Sequence, residues 1–136
     1  MTTTDAIDII NGIIQSAWVA KSTGTIKWPD GDMGVPTDPE WARVKIQHAD
    51  GGLSSLAGET NVKKYTELGI VYIQIFTKLN AKNLRGYELG SAILDAFRKA
   101  KISGMVFRNY RRREIGPDGA FFQIQAIVGF EYETHV

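Results

Sequence analysis

Phe121-Phe122-Gln123-Ile124-Gln125-Ala126-Ile127-Val128-Gly129-Phe130-Glu131-Tyr132-Glu133 is the stretch that decides the fold. Phe122, Ile124, Ala126, Val128, Phe130 and Tyr132 fall on one side of it, and Gln123, Gln125 and Glu131 on the other. Successive side chains of a strand point to opposite faces of a sheet, so this period of two predicts a long strand with one buried face. The buried row needs an apolar layer to cover it.

Two helices are available to cover it. Residues 83–101 bring Leu89, Ile93, Ala96, Phe97 and Ala100 onto one helical face, and Ser103-Gly104 ends the pattern. Residues 4–21 carry Ile7, Ile10, Ile14, Ala17 and Trp18 at spacings of three and four, after a threonine cap and with Asp5 in the first turn. Further strands are expected at Thr25-Ile26-Lys27-Trp28, from Trp41 and from about Lys64 to Thr77. In the second, Ala42, Val44, Ile46 and His48 alternate with Arg43, Lys45 and Gln47; the third is rich in β-branched and aromatic residues. Met105 to Tyr110 starts another strand, with a turn expected at Gly116-Pro117-Asp118-Gly119. The glycine-rich stretch at about 50–62 reads as a long hairpin loop in which Leu53 and Leu56 are isolated apolar points. Residues 29–39 hold three prolines and exclude regular structure.

The expected fold class is α+β: a two-layer domain spanning residues 1–136, with an antiparallel sheet and both helices on one face. The other face, carrying Arg43, Lys45, Gln47, Gln123 and Gln125, is expected to be wet or covered by a polar surface.

At 136 residues, with 43% hydrophobic and 23% charged residues, the chain has the makeup of one globular domain. No apolar run is long enough to cross a bilayer as a helix, and the N-terminus does not read as a signal peptide, so no membrane role and a cytoplasmic origin are expected. There are no cysteines, which removes thiol nucleophiles, disulfides and thiolate metal sites. Formal net charge is +1, but residues 1–60 hold 4 basic and 8 acidic groups, against 12 and 7 in residues 61–136. One portion is therefore −4 and the other +5, which suits head-to-tail contact between identical subunits.

Catalysis has little to work with, and no enzyme activity is expected. His48 has the inward parity of its strand and reads as structural, and His135 lies one residue from the C-terminus. Asp30, Asp32 and Asp38 lack the spacing of a calcium loop, and the glycines near Asp50 do not match a phosphate-binding loop. No metal and no cofactor are expected. The conspicuous charge feature is Arg108, Arg111, Arg112 and Arg113, with Tyr110 among them. Such a cluster suits phosphate contacts in a small nucleic-acid-binding module, or pairing with acidic groups of a neighbouring subunit. Net charge near zero, with no further basic stripe in the sequence, favours the second.

The stretch Trp41-Ala42-Arg43-Val44-Lys45-Ile46-Gln47-His48-Ala49-Asp50-Gly51-Gly52, followed by Gly69-Ile70-Val71-Tyr72-Ile73-Gln74-Ile75-Phe76, resembles the phage tail terminator-like family of head-tail completion proteins. The opening amphipathic helix, the proline-rich loop before Trp41 and the helix segment Gly86-Tyr87-Glu88-Leu89 are also similar. Asn80-Ala81-Lys82-Asn83 departs from the family's glycine-rich turn. The resemblance implies a structural virion protein of long-tailed bacteriophages, made in the host cytoplasm and placed at the head-proximal end of the tail. It implies a homo-oligomeric ring, typically a hexamer, that caps the tail-tube protein, stops tube polymerisation and meets head-tail connector proteins while genome DNA passes through. The candidate subunit interface is Leu53, Leu56, Arg108, Arg111, Arg112 and Arg113.

Overall fold

The computed structural model describes residues 1–29, 39–49, 52–57, 62–79 and 84–135. Along the chain run α1 (Thr3–Val19), β1 (Thr25–Lys27), β2 (Trp41–His48), β3 (Gly52–Ala57), β4 (Val62–Lys78), α2 (Leu84–Lys99), β5 (Met105–Asp118) and β6 (Phe121–His135). The strands form one sheet in the spatial order β1-β2-β4-β6-β5, with β3 also paired to β4. This is the expected α+β class.

The central pair, β4 and β6, sets the core. Ile75 lies opposite Ile124, Ile73 opposite Ala126 and Val71 opposite Val128, and all six are buried. Every residue of the inward row read from the sequence, Phe122 through Tyr132, is buried. Leu89, Ile93 and Phe97 of α2 and Ala6, Ile10, Ile14 and Trp18 of α1 join the same core, so both helices cover this face. Fully burying one such Ile or Phe side chain contributes about 1.5–3 kcal/mol.

Local chemistry fixes the ends of α1. The Thr2 hydroxyl accepts the Asp5 N–H at 3.0 Å, and the Asp5 carboxylate accepts the Thr2 N–H at 3.0 Å, which closes a capping box. Beyond the last turn, the Trp18 indole donates to the Gly24 carbonyl at 2.8 Å. A Cβ at Gly24 would stand 2.1 Å from the Glu40 carbonyl oxygen, so only glycine lets β1 come this close to the start of β2.

Four features differ from the sequence-based expectation. Part of the stretch at about 50–62 is not loop: Gly52–Ala57 is a strand, pairing with β4 through Leu53 opposite Tyr65 and Leu56 opposite Lys63. A partner ladder decided it, since small polar residues bar neither state. The short β1 pairs with β2 in parallel, within an otherwise antiparallel sheet. Strand β5 runs on to Asp118, and Gly116 sits at a register shift with φ of +100° instead of in the turn. Finally, Ile7, Ala17, Ala96 and Ala100 are half-buried flanks of their helical stripes, while Gly86, Gly90 and Leu94 are buried.

Candidate functional site

The arginines contiguous in sequence do not form one cluster, because the fold divides them. Side chains directly opposite each other in a sheet share a face. Arg111 lies opposite Ile127 and Arg113 opposite Gln125, which places both on the open face of the sheet. Arg112 lies opposite the core residue Ala126 and therefore turns to the helix side. There its guanidinium carbon stands 4.6 Å from the centre of the Tyr87 ring, and Nη1 donates to the Ser91 hydroxyl at 3.3 Å. Arg108 forms an ion pair with Glu131 on the adjacent strand.

A bulge separates Arg108 from Arg111. Asn109 adopts φ of +57° within it, a left-handed conformation that asparagine tolerates better than most residues. Tyr110 is not a free aromatic: its hydroxyl donates to the Phe107 carbonyl at 3.0 Å, and Arg98 lies 5.1 Å from its ring centre. The bulge explains why alternation was hard to read here, because an extra residue breaks the period of two.

Other cations join Arg111 and Arg113 on the open face. Arg43 and Lys45 project from β2, as their alternation predicts, and Lys27 of β1 is the register partner of Arg43. Arg43 donates to the Gln74 side chain at 2.6 Å and lies 5.6 Å from the Phe76 ring centre. This grouping was missed because its members come from opposite ends of the chain.

The open face is also drier at one end than expected. Trp41 stacks on Phe76 with centroids 4.1 Å apart, and Phe121 meets both rings edge-on. Gln123, expected to be wet, is 6% exposed at this end, and Ile127, in mid-sheet opposite Tyr72 and Arg111, is 5% exposed. Exposed Leu68 and Val106 lie towards the other end, near Arg108. Leu53 and Leu56 lie on β3, on a different side of β4 from β6, and are not brought next to the arginines of β5. Their side chains fall outside those described.

Polar groups elsewhere are tied into structure. Arg85 of α2 holds Glu40 through two hydrogen bonds of 2.9 Å and also pairs with Glu88. The hydrogen bonds from Arg85 hold the Glu40 carboxyl below the usual glutamate range, and the same bonds raise Arg85. His48 Nε2 lies 2.8 Å from the Tyr132 hydroxyl, which in turn lies 3.3 Å from the Thr3 hydroxyl, linking β2, β6 and the start of α1. His48 therefore has the structural role its parity indicated. Among the described residues, no group of three or more His, Asp or Glu could hold a metal ion. Asp30, Asp32 and Asp38 lie outside the described residues.

No family model and no curated protein matches the chain. Solved structures do share its fold. One, designated only by a sequence identifier, superposes with a TM-score of 0.61 at 13% identity, covering 97% of this chain and 96% of its own. A chain from the virion of a native gene transfer agent particle superposes with a TM-score of 0.51 at 10% identity, covering 89% of this chain and 92% of its own. At such identities the likeness is one of fold, and it extends over nearly the whole of each chain.

Proposed function

We propose that this chain is a structural virion protein that forms a ring, typically a hexamer, capping the tail tube of a phage-like particle. In this reading the ring stops tube polymerisation and offers its other side to the head connector. The observation that carries it is the presence of two unlike β-edges. On one flank, the 14-residue β5 has a neighbour on one side only among the described residues and exposes Val106 and Ile115. On the other, β3 extends the line of β2 along β4, and its outer edge has no partner among the described residues. Unpaired β-edges are templates for further strands, and unlike edges at opposite flanks generate head-to-tail contacts that can close into a ring. The resemblance of the sequence to tail terminators supports the same reading, as does a fold shared with a chain of a gene transfer agent virion.

Leu53 and Leu56 on β3, with Arg108, Arg111, Arg112 and Arg113 on β5, are the proposed contact residues. The test is an image of the particle that contains the protein, combined with the mass of the assembled form. A ring at the head-proximal end of the tail, of about six times the 15.1 kDa of one chain, is expected. Leu53→Asp with Leu56→Asp should fold normally, as judged by circular dichroism, and lose assembly. A double variant that still terminates tails, or a protein found elsewhere in the particle, overturns the reading.

A further inference from the structure

We infer that the open face of the sheet binds the phosphate backbone of nucleic acid without reading its sequence. Strand register gathers seven cations there among the described side chains: Lys27, Arg43 and Lys45 from β1 and β2, Lys78 at the end of β4, and Arg108, Arg111 and Arg113 from β5. The carboxylates of the same face among the described side chains are Glu131, paired with Arg108, and Glu133. In a chain of net charge +1, this sorts positive charge onto one side. Among the described residues, Lys27, Lys45, Arg111 and Arg113 have no ion-pair partner.

The arrangement has the dimensions to span a groove and meet the backbones that border it. β4 and β6 lie between the two cation-bearing strands β2 and β5, so the rows stand about 14 Å apart at the usual strand spacing. A B-DNA major groove is about 12 Å wide, so the rows can reach the backbones on its two sides. Between them Gln74 lies opposite Gln125 and Tyr72 opposite Ile127, which offers amide donors and one half-buried aromatic edge. Most protein–nucleic acid hydrogen bonds go to phosphate and sugar from such groups. An acidic protein partner fits less well. Protein interfaces are depleted in lysine and built around an apolar centre, whereas here the exposed apolar residues Leu68 and Val106 lie off to one end.

Such a site is not the run of contiguous arginines. It enlists Lys27, Arg43 and Lys45, remote in sequence, and dismisses Arg112, which faces Tyr87 on the other side. It needs only the face of a single subunit and so does not rest on the ring reading.

Fluorescence anisotropy of the full chain with a labelled 25-base-pair duplex and a 25-nucleotide single strand tests it. Four or five phosphate contacts predict a loss of about 150- to 500-fold in affinity between 50 and 200 mM salt. Arg43→Glu with Lys45→Glu, and separately Arg111→Glu with Arg113→Glu, should each weaken duplex binding at least tenfold with unchanged circular dichroism. Arg112→Glu should bind as the wild type does. Absence of duplex binding at 50 mM salt overturns the inference, as does a loss with Arg112→Glu equal to that of the double variants. If polyglutamate displaces the duplex at equal charge concentration, the face is one for acidic protein. A ring without duplex affinity sinks this inference alone, and duplex affinity in a protein that never assembles sinks the ring alone.

Discussion

The two faces of the sheet are built from the same strands, residue by residue in alternation, yet they obey different constraints. On the helix side, Ile73, Ile75, Ile124, Ala126 and Val128 are sealed beneath α1 and α2. On the open side, Arg43, Lys45, Arg111 and Arg113 are exposed, while Trp41, Phe76 and Gln123 at one end and Ile127 in mid-sheet are buried. The helix side has little freedom, because close-packed interiors tolerate neither cavities nor unpaired charge. The open side has freedom in stability terms, so its concentration of cations is not something folding requires. Function is accordingly sought on the open face and on the edges.

The largest test of this contrast is Phe97→Ala. Phe97 is 1% exposed and meets Phe107 edge-on with centroids 5.0 Å apart, so truncation should cost about 3–5 kcal/mol. That is comparable with the whole stability of a small domain, and thermal or urea unfolding will read it. An unchanged midpoint would mean that α2 does not close the core.

The Glu40–Arg85 pair ties α2 to the start of β2 at the margin of the two layers, and a smaller effect is expected there. Both side chains are partly exposed, at 19% and 32%, so solvent screens them and Glu40→Gln should cost about 1 kcal/mol at neutral pH. The pH dependence has a definite sign. The Glu40 carboxyl is held low in the folded state, so its contribution is complete above the unfolded value and is lost as pH falls through the folded one. Melting curves of wild type and Glu40→Gln should therefore differ at pH 7 and draw together progressively as pH falls below the ordinary glutamate range. A gap that persists at acid pH would show that the pair acts by packing and not by charge.

Removing the cap of α1 by Thr2→Ala should cost 1 kcal/mol or less, about half the upper figure for such caps, since this helix is also held by four buried side chains. The smallest effect belongs to the open face. Arg111→Gln with Arg113→Gln should move stability by no more than about 0.5 kcal/mol, because neither side chain has a packing role. Destabilisation beyond 2 kcal/mol would erase the distinction between the faces.

How far the sequence reached differs between fold and site. The alternation from Phe122 to Tyr132 and the helical stripes through Ile10 and Ile14, and through Leu89, Ile93 and Phe97, were legible because each is a local period with a single physical reading. The outward set of β2 was legible for the same reason. β3 escaped because Leu53-Ser54-Ser55-Leu56 has weak preferences, and its strand state comes from β4. The arginine run misled for a related reason. Contiguity in sequence suggested one patch, but a strand sends neighbours to opposite faces and a bulge resets the count between Arg108 and Arg111.

By itself the sequence determined the α+β class, the inward row of the last strand, the helix faces and the scarcity of catalytic groups. Those follow from composition and short-range periodicity. The tertiary structure alone decided that β1 pairs in parallel with β2, that β3 belongs to the sheet and that Arg112 leaves its neighbours for Tyr87. It also brought Lys27, Arg43 and Lys45 onto the same face as Arg111 and Arg113. Which strands become neighbours depends on burying the whole core at once, and no local window of sequence carries that information.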